Sequence, residues 1–437
     1  MIWLCNATLY DGKDLRDGKW DICVESGKVV EITPSRGKKS NFQDDIYDLE
    51  GHIVCPGFID LHVHLRDPGQ TWREDIDSGS LAAAAGGVTH VVAMPNTTPP
   101  IDDPSGVRYV REKGRKAKGA IVLPAGAVTV NREGKMITEM IGMVDEGAVL
   151  FTDDGSPVIL AKVMRIALLY LRDLGIPLME HPEELTLSEG GHMNEGRASA
   201  LCGLKGIPRS SEIIGVERAI ALCRETMGRV HLTHISTKEA LESIRRAKQE
   251  GLPLTCDVTP HHLVFDEEMI IKSYYSSAFK VNPPLRARED VEALFKGLRD
   301  GTIDAIATDH APYHVDEKDL PFEEASFGIA SLECAVAAVL DLWYKRGKPF
   351  SLKKLLELLT TGPGSIIGID RTLKPGSRAD ITVLNLEKEE RVDAEKWNSK
   401  ARITPYDGLT LRGWPVMTLL GGRIVYDSLR QEVCHEV

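Results

Sequence analysis

Pro56-Gly57-Phe58-Ile59-Asp60-Leu61-His62-Val63-His64-Leu65-Arg66 is the stretch on which the fold of this chain turns. Phe58, Ile59, Leu61 and Val63 make a short apolar run of strand length, and Pro56 and Gly57 mark its entrance. Alternate side chains of a strand share a face, so His62 and His64 project to the same side. Two neighbouring imidazoles make half of a metal site, although a His-x-His pair alone arises by chance more often than by ligation. Arg66 follows where the strand ends, and a fixed cation beside neutral imidazoles suits an anionic substrate held next to a metal.

Outward from this stretch the pattern differs on the two sides. Residues 1–55 read as short alternating strands, at Ile2 to Leu9, Trp20 to Val24, Val29 to Ile32 and Ile46 to Leu49, broken by turn residues such as Asp11-Gly12 and Ser26-Gly27-Lys28. After Pro56, apolar runs alternate with helical stretches, the signature of parallel β/α architecture. Seven more strands follow the His62 strand, at 88–94, 120–128, 148–152, 177–180, 230–233, 254–258 and 304–308. Helices are expected between them over 78–85, 105–117, 136–144, 158–174, 211–227 and from Thr237 onward.

Eight such units fit a (β/α)8 barrel of TIM type, whose usual size is roughly 250 residues before insertions. Helices at 332–342 and 351–359 close this region, and the tail returns to strands at 374–384, 416–420 and 423–426. The expected organisation is therefore an α/β fold: a barrel over 56–365, with a small β-sandwich built from 1–55 and 366–437.

With 437 residues and 42% hydrophobic content the chain can bury a large core. A net charge of −12 argues against nucleic acid as a partner, and the five cations between Arg111 and Lys118 read as one solvated helix face. No run approaches the roughly 18 apolar residues of a membrane span. The start, Met-Ile-Trp-Leu-Cys-Asn, lacks the features of a signal peptide, so a cytoplasmic protein is expected. The eight cysteines (5, 23, 55, 202, 223, 256, 334 and 434) form no Cys-x-x-Cys pair, which leaves His and carboxylate as metal ligands.

In such barrels the carboxyl ends of the strands share the face that carries the active site. There the chain places His62 and His64 from strand one, the Asp153-Asp154 pair from strand four, His181 from five, His234 from six and Asp309 from eight. Singly each has a dull explanation, an Asp capping a helix or a His satisfied in the core. Together the N and O donors can hold two divalent ions with one carboxylate between them. Alternation says only that Asp153 and Asp154 face opposite sides.

Longer motifs run through the same positions. They are Gly57 to Gly69 (GFIDLHVHLRDPG), Met94 to Thr97 (MPNT), Phe151 to Gly155 (FTDDG), His234 to Thr237 (HIST), Thr255 to Leu263 (TCDVTPHHL), Lys280 to Arg286 (KVNPPLR), Ala307 to Pro312 (ATDHAP) and Phe327-Gly328. In these the chain resembles the dihydroorotases of the amidohydrolase superfamily, of the bacterial type that lacks a carboxylated lysine. The resemblance covers the whole barrel and reaches, less specifically, Pro375-Gly376 and Ala379-Asp380.

The resemblance implies reversible interconversion of N-carbamoyl-L-aspartate and dihydroorotate, the third step of pyrimidine synthesis. It implies zinc, two ions per subunit, with His62 and His64 joining Asp309 on one ion, His181 and His234 on the other, and Asp154 bridging. A hydroxide, formed from water whose pKa zinc lowers to about 7, would attack the ring amide carbonyl. Asp309 would take its proton and pass it to the leaving nitrogen. Arg66 and Asn96 would hold the substrate carboxylate, with Asn282 and the Phe327-Gly328 backbone against the ring. Asn96 and Asn282 both adjoin prolines, where Asn is common for turn geometry alone. His261 and His262 are left for hydrogen bonding behind the ligands. His52, His90, His192, His231 and His435 have packing or solvent as their default.

One departure stands out. The family's Asp-His-Ala-Pro-His reads here as Asp309-His310-Ala311-Pro312-Tyr313, with His314 one position later. Either the Tyr313 hydroxyl replaces the substrate-binding imidazole or His314 does. The acidic segment from Tyr313 to Ser326 reads as a lid. The nearest rivals are an allantoinase or hydantoinase, whose bridging lysine has no counterpart here because Lys162 lies well into a helix. A silent scaffold for aspartate transcarbamoylase is the rival of another class, and it predicts lost ligands where none is lost. A homodimer and a transcarbamoylase complex both stay open as assemblies.

Overall fold

The computed structural model describes residues 1–35 and 45–430; Cys434 and His435 lie outside the described residues. Eight parallel strands follow one another round a barrel in sequence order: Phe58–Val63, Val88–Ala93, Ile121–Gly126, Leu150–Phe151, Leu178–Glu180, Val230–Leu232, Leu254–Val258 and Ala305–Ile306. The ring closes just beyond strand eight. Val63 bridges to His310, and the His64 N–H donates to the His310 carbonyl at 2.9 Å. Below that junction the Asp60 carboxylate accepts from the Thr308 N–H and hydroxyl at 3.0 and 2.6 Å.

Several crossover helices start and stop where local chemistry says. Asp75 caps Ile76–Ala85 in a capping box with Ser78, Asp103 caps Pro104–Lys116 with Pro104 at the first helical position, and Thr237 caps Lys238–Gln249 by accepting from the Ala240 N–H. Gly175 ends Ala161–Leu174 with φ +72°, a left-handed conformation that a side chain would strain. Ile59, Leu61, Val92, Ala125, Leu150, Met179 and Ala305 fill the barrel interior. A second layer, including Phe58, Val91, Val122, Phe151, Leu168 and Ile244, packs the strands against the helices.

Strand one departs from plain alternation. Between Asp60 and Val63 its register against strand two slips by one residue, a β-bulge. Leu61 therefore belongs to the inner core while its immediate neighbour His62 faces the aspartates at the barrel mouth. The helix expected over 136–144 is the shorter Met140–Asp145. Residues 136–138 instead bond to the loop after strand three, through Val130 N–H to the Met136 carbonyl at 2.9 Å and Thr138 N–H to the Val128 carbonyl at 3.0 Å.

The terminal segments meet in one curled, branched sheet. Its order is Arg423–Asp427, Thr410–Leu420, Ile381–Arg391, His52–Pro56, Ile2–Tyr10, Leu15–Glu25 and Lys28–Pro34, with Asp45–Asp48 also paired to Ile2–Tyr10. The joining strand, His52–Pro56, is one the sequence reading passed over as the entrance to the barrel. It pairs antiparallel with Ile381–Arg391 and parallel with Ile2–Tyr10. The sandwich encloses its own core of Leu4, Leu9, Ile22, Val54, Val383 and Met417, separate from the barrel's.

Candidate active site at the mouth of the barrel

The strand ends bring the expected ligands together. His62 Nε2 lies 3.3 Å from Asp154 Oδ1 and 3.4 Å from Asp309 Oδ1, and His64 Nε2 lies 3.0 Å from Asp309 Oδ1 and 3.5 Å from Asp154 Oδ2. On the other side His181 Nδ1 and His234 Nε2 are 3.0 Å apart, at 3.7 and 3.8 Å from Asp154 Oδ1. Asp154 thus belongs to two groups of potential metal ligands, with His62 and His64 and with His181 and His234; within each group the ligand atoms lie within 4.8 Å of one another. Asp153 turns away, accepting from the Val128 and Thr129 N–H groups at 2.8 and 3.1 Å and from the Thr129 hydroxyl.

Hydrogen-bond partners set which nitrogen of His62, His64 and His181 faces inward. Thr233 donates its hydroxyl to Asp257, at 3.1 Å, so it accepts from His62 Nδ1 at 2.9 Å and leaves Nε2 free. Asn96 donates its amide to Asp154 at 3.3 Å, so its oxygen accepts from His64 Nδ1 at 2.9 Å. Glu183 accepts from His181 Nε2 at 3.0 Å. Such partners fix the tautomer and raise ligand basicity. The backbone takes part as well: Arg66, His234 and Asp309 sit at φ of 55°, 41° and 45°, a left-handed conformation uncommon for residues other than glycine and concentrated at functional sites.

The electrostatics suit a cation. All six side chains are buried. Burial alone would lower the His62 and His181 pKa values, but Asp154 and Asp309 push His62 up to about 9, and Asp154 and Glu183 push His181 up to about 10. Burial would raise the two aspartates, yet the surrounding imidazoles hold Asp154 and Asp309 well below the usual carboxylate range. His64 goes the other way, lowered by burial and by Arg66. The negative field that draws protons to His62 and His181 is one a divalent cation would meet in their place. Among the described residues His62 Nε2 and Asp154 Oδ1 are buried without a hydrogen-bond partner, which is costly unless something binds them. Imidazole and carboxylate are the donors that zinc and similar divalent ions take, so the residues fit a metal centre.

A cleft of about 260 Å3 opens beside these residues, and His64, Arg66, Asn96, Asn282, Tyr313, Phe327 and Gly328 all line it. Arg66 is buried, donates Nε–H to the Pro312 carbonyl at 3.3 Å and stands 4.8 Å from the centre of the Tyr313 ring. Arg73 lies 4.7 Å from the same ring centre. A Cβ at position 328 would come within 2.6 Å of the Ala311 carbonyl oxygen and 2.8 Å of the Tyr313 ring, so only glycine fits there. His314, the alternative to Tyr313, does not line the cleft; its half-exposed side chain caps the short helix Val315–Lys318.

The segment expected to be a lid is folded down, with Glu317 accepting from Arg73 Nε at 2.9 Å. His262 bonds to Thr259 Oγ1 at 2.7 Å and the Pro283 carbonyl at 3.0 Å, neither of which is an expected metal ligand. His261 does not follow suit: among the described residues neither buried ring nitrogen has a hydrogen-bond partner, and burial pulls its pKa down to about 3.

Sequence reasoning gave no role to Glu183, Thr233, Asp257 or His231. Asp257 accepts from the His234 N–H at 2.6 Å and pairs with His231 at 2.8 Å, joining strands six and seven behind the ligands. The signal was present in both carboxylates. Glu183 stands two residues after His181, and Asp257 is an acid inside an apolar strand.

The family described as Dihydro-orotase-like matches residues 51–240. A dihydroorotase of Aquifex aeolicus is 45% identical over 96% of this chain and 98% of its own length. Dihydroorotases of Geobacter metallireducens and Thermus aquaticus are 44% and 42% identical over 93% and 98% of this chain and 95% and 100% of their own lengths. Among solved structures, an L-hydantoinase (dihydropyrimidinase) from Arthrobacter aurescens superposes with a TM-score of 0.86 at 26% identity, over 98% of this chain and 96% of that one. A dihydropyrimidinase from Brevibacillus agri, at 21% identity and a TM-score of 0.82 over 98% and 95% of the two chains, shares the fold.

Proposed function

The chain belongs to the dihydroorotase family, and on that premise we propose how its cleft divides the reaction between two walls. It is a cyclic-amide hydrolase that interconverts dihydroorotate and N-carbamoyl-L-aspartate in pyrimidine biosynthesis. Two zinc ions would be held by His62, His64 and Asp309 on one side and by His181 and His234 on the other, with Asp154 between. When bound, such ions polarise the ring carbonyl and make water acidic enough to attack near neutral pH.

The chain's own residues do the rest. Arg66 presents a desolvated guanidinium suited to the planar substrate carboxylate. The Asn96 amide, anchored on His64 and Asp154, stands beside it, and Tyr313 flanks Arg66 in the place where relatives carry His. Asn282, Phe327 and Gly328 face the ring. Asp309 accepts the proton of the attacking water and delivers it to the ring nitrogen as the C–N bond breaks. In the reverse direction it takes that proton from the carbamoyl nitrogen and returns it to the departing oxygen.

The observation that carries this reading is Asp154 flanked by two imidazole pairs with Arg66 lining the same cleft. A strand-four end in Asp153-Asp154, with the next lysine in sequence, Lys162, in the helix Ala161–Leu174, separates the site from carboxylated-lysine relatives. Side-by-side turnover of dihydroorotate, allantoin and hydantoin tests it, with and without Asp309→Ala. Dihydroorotate should be turned over far faster than the others by the wild type, and hardly at all by the variant. Preference for hydantoin, or wild-type activity in the variant, would overturn the assignment.

A further inference from the structure

Lys318 is buried to 2% exposure, in a position where lysine is rarely found without a carboxylate partner. Among the described residues its side chain has no ion pair. Nζ donates instead to three backbone carbonyls, of Lys280 at 3.3 Å, Ser326 at 3.0 Å and Gly328 at 2.9 Å. In its ammonium form the group has three N–H donors and is matched bond for bond, while burial and the nearby Lys280 bring its pKa down to about 7. These carbonyls come from two separate segments. Ser326 and Gly328 end the strap that begins at Tyr313, and Lys280 leads into Val281 and Asn282, the other segment of the same substrate wall. The Gly328 N–H returns to the Lys280 carbonyl at 2.9 Å, and the Ser277 hydroxyl donates to the Lys318 carbonyl.

A second lysine reinforces the knot. Lys280 Nζ donates to the Glu323 carbonyl at 2.8 Å and lies 4.5 Å from the centre of the Phe327 ring. The neighbouring residue Glu317 points elsewhere, to Arg73 beside Tyr313. The four-residue helix Val315–Lys318 therefore braces both ends of the strap at once. Burying a cation against carbonyl dipoles alone costs stability that an apolar residue would not. What the cation secures is the backbone of Gly328 and the approach to Asn282.

We propose that Lys318 is a positioning residue of the substrate wall: its ammonium ties the Lys280, Ser326 and Gly328 carbonyls together and so holds Gly328 and Asn282 in place before substrate arrives. The proposal rests on the reading of this cleft as the dihydroorotate site. On that basis the segment 313–328 is a fixed strap rather than a swinging lid.

The test is steady-state kinetics of metal-loaded Lys318→Met, with metal content and Tm measured on the same preparation. KM for dihydroorotate should rise about tenfold or more, as expected for losing hydrogen bonds from a charged donor, while kcat per bound metal changes little. A purely structural role would lower the active fraction, hence apparent kcat, and leave KM unmoved; that outcome overturns the proposal. Hydrogen exchange on the wild-type holoenzyme serves if the variant fails to fold. The amides of Ser326 and Gly328 should be protected without substrate, and free exchange until dihydroorotate is added would sink the idea. A wild type that does not turn over dihydroorotate at all would instead refute the functional reading.

Discussion

The two walls of the cleft are built in different ways. On the metal side every expected ligand stands at the end of a barrel strand, and orientation is relayed by side chains of other strands: His62 of strand one by Thr233 at the end of strand six, Thr233 by Asp257 of strand seven, and Asp257 by His231 of strand six. On the substrate side Asn282, Tyr313, Phe327 and Gly328 lie in loops, placed by Lys318 and by the Arg73–Glu317 pair. Strand ends are fixed by the sheet itself, whereas loops need dedicated ties. Changes on the first wall should therefore act on metal and on kcat, and changes on the second on substrate affinity.

The largest effect should come where the walls meet. Asp309→Asn keeps the shape of the side chain and removes the proposed proton acceptor, so kcat should fall about 10^3-fold, within the usual range for losing a positioned acid-base group. Steady-state rates with metal content measured in parallel check this. A rise in KM with kcat unchanged would move Asp309 from the metal wall to the substrate wall.

Next come the residues behind the ligands. Thr233→Val removes the acceptor for His62 Nδ1 and should weaken metal binding or activity by roughly 10- to 100-fold. Competition with a chelator measures it; unchanged affinity would mean that the relay through Asp257 does not set the ligand. Arg66→Met belongs to the other wall. Losing charge-assisted hydrogen bonds of about 1.5–3 kcal/mol should raise KM for dihydroorotate about 10- to 100-fold without changing metal affinity.

The metal wall should also answer to pH. In the metal-free protein His62 is held up to about 9 and His181 up to about 10, so both carry protons at pH 7. Binding a metal needs the neutral imidazoles, so each must shed its proton. Apparent metal affinity should accordingly rise with pH through about 9 to 10 and then level. Calorimetry at pH 7 in buffers of different ionisation enthalpy should detect proton release on binding, and heats independent of buffer would contradict the field described here.

This contrast also explains what the sequence made legible. Metal-side residues announce themselves because strand ends recur at regular intervals and because His or Asp interrupts an apolar run, as at His181, His234 and Asp309. The distinction between Asp153 and Asp154 was not readable from period alone; it depends on Thr129, a residue on a neighbouring strand's loop. The bulge that lets Leu61 and His62 face inward together is equally invisible to a period-two reading. His52–Pro56 escaped because a short strand ending in Pro56 runs into the next one without a turn longer than Gly57. Lys318 is hardest of all, since a Lys in an acidic segment reads as solvent-facing until the fold buries it.

The smallest effect sharpens the substrate wall most. Tyr313 offers Arg66 both a ring face and a hydroxyl, and the two can be separated. Tyr313→Phe keeps the ring 4.8 Å from the guanidinium and removes only the hydroxyl. If the hydroxyl takes the substrate carboxylate, KM should rise about two- to tenfold, the equivalent of one neutral hydrogen bond. Tyr313→Ala should add the loss of the contacts with Arg66 and Arg73, about 0.5–2 kcal/mol more. Equal KM for wild type and Tyr313→Phe, with a loss only in Tyr313→Ala, would leave the ring with the single task of holding Arg66. The hydroxyl would then have no share in replacing the histidine, and the carboxylate would be bound by Arg66 and Asn96 alone.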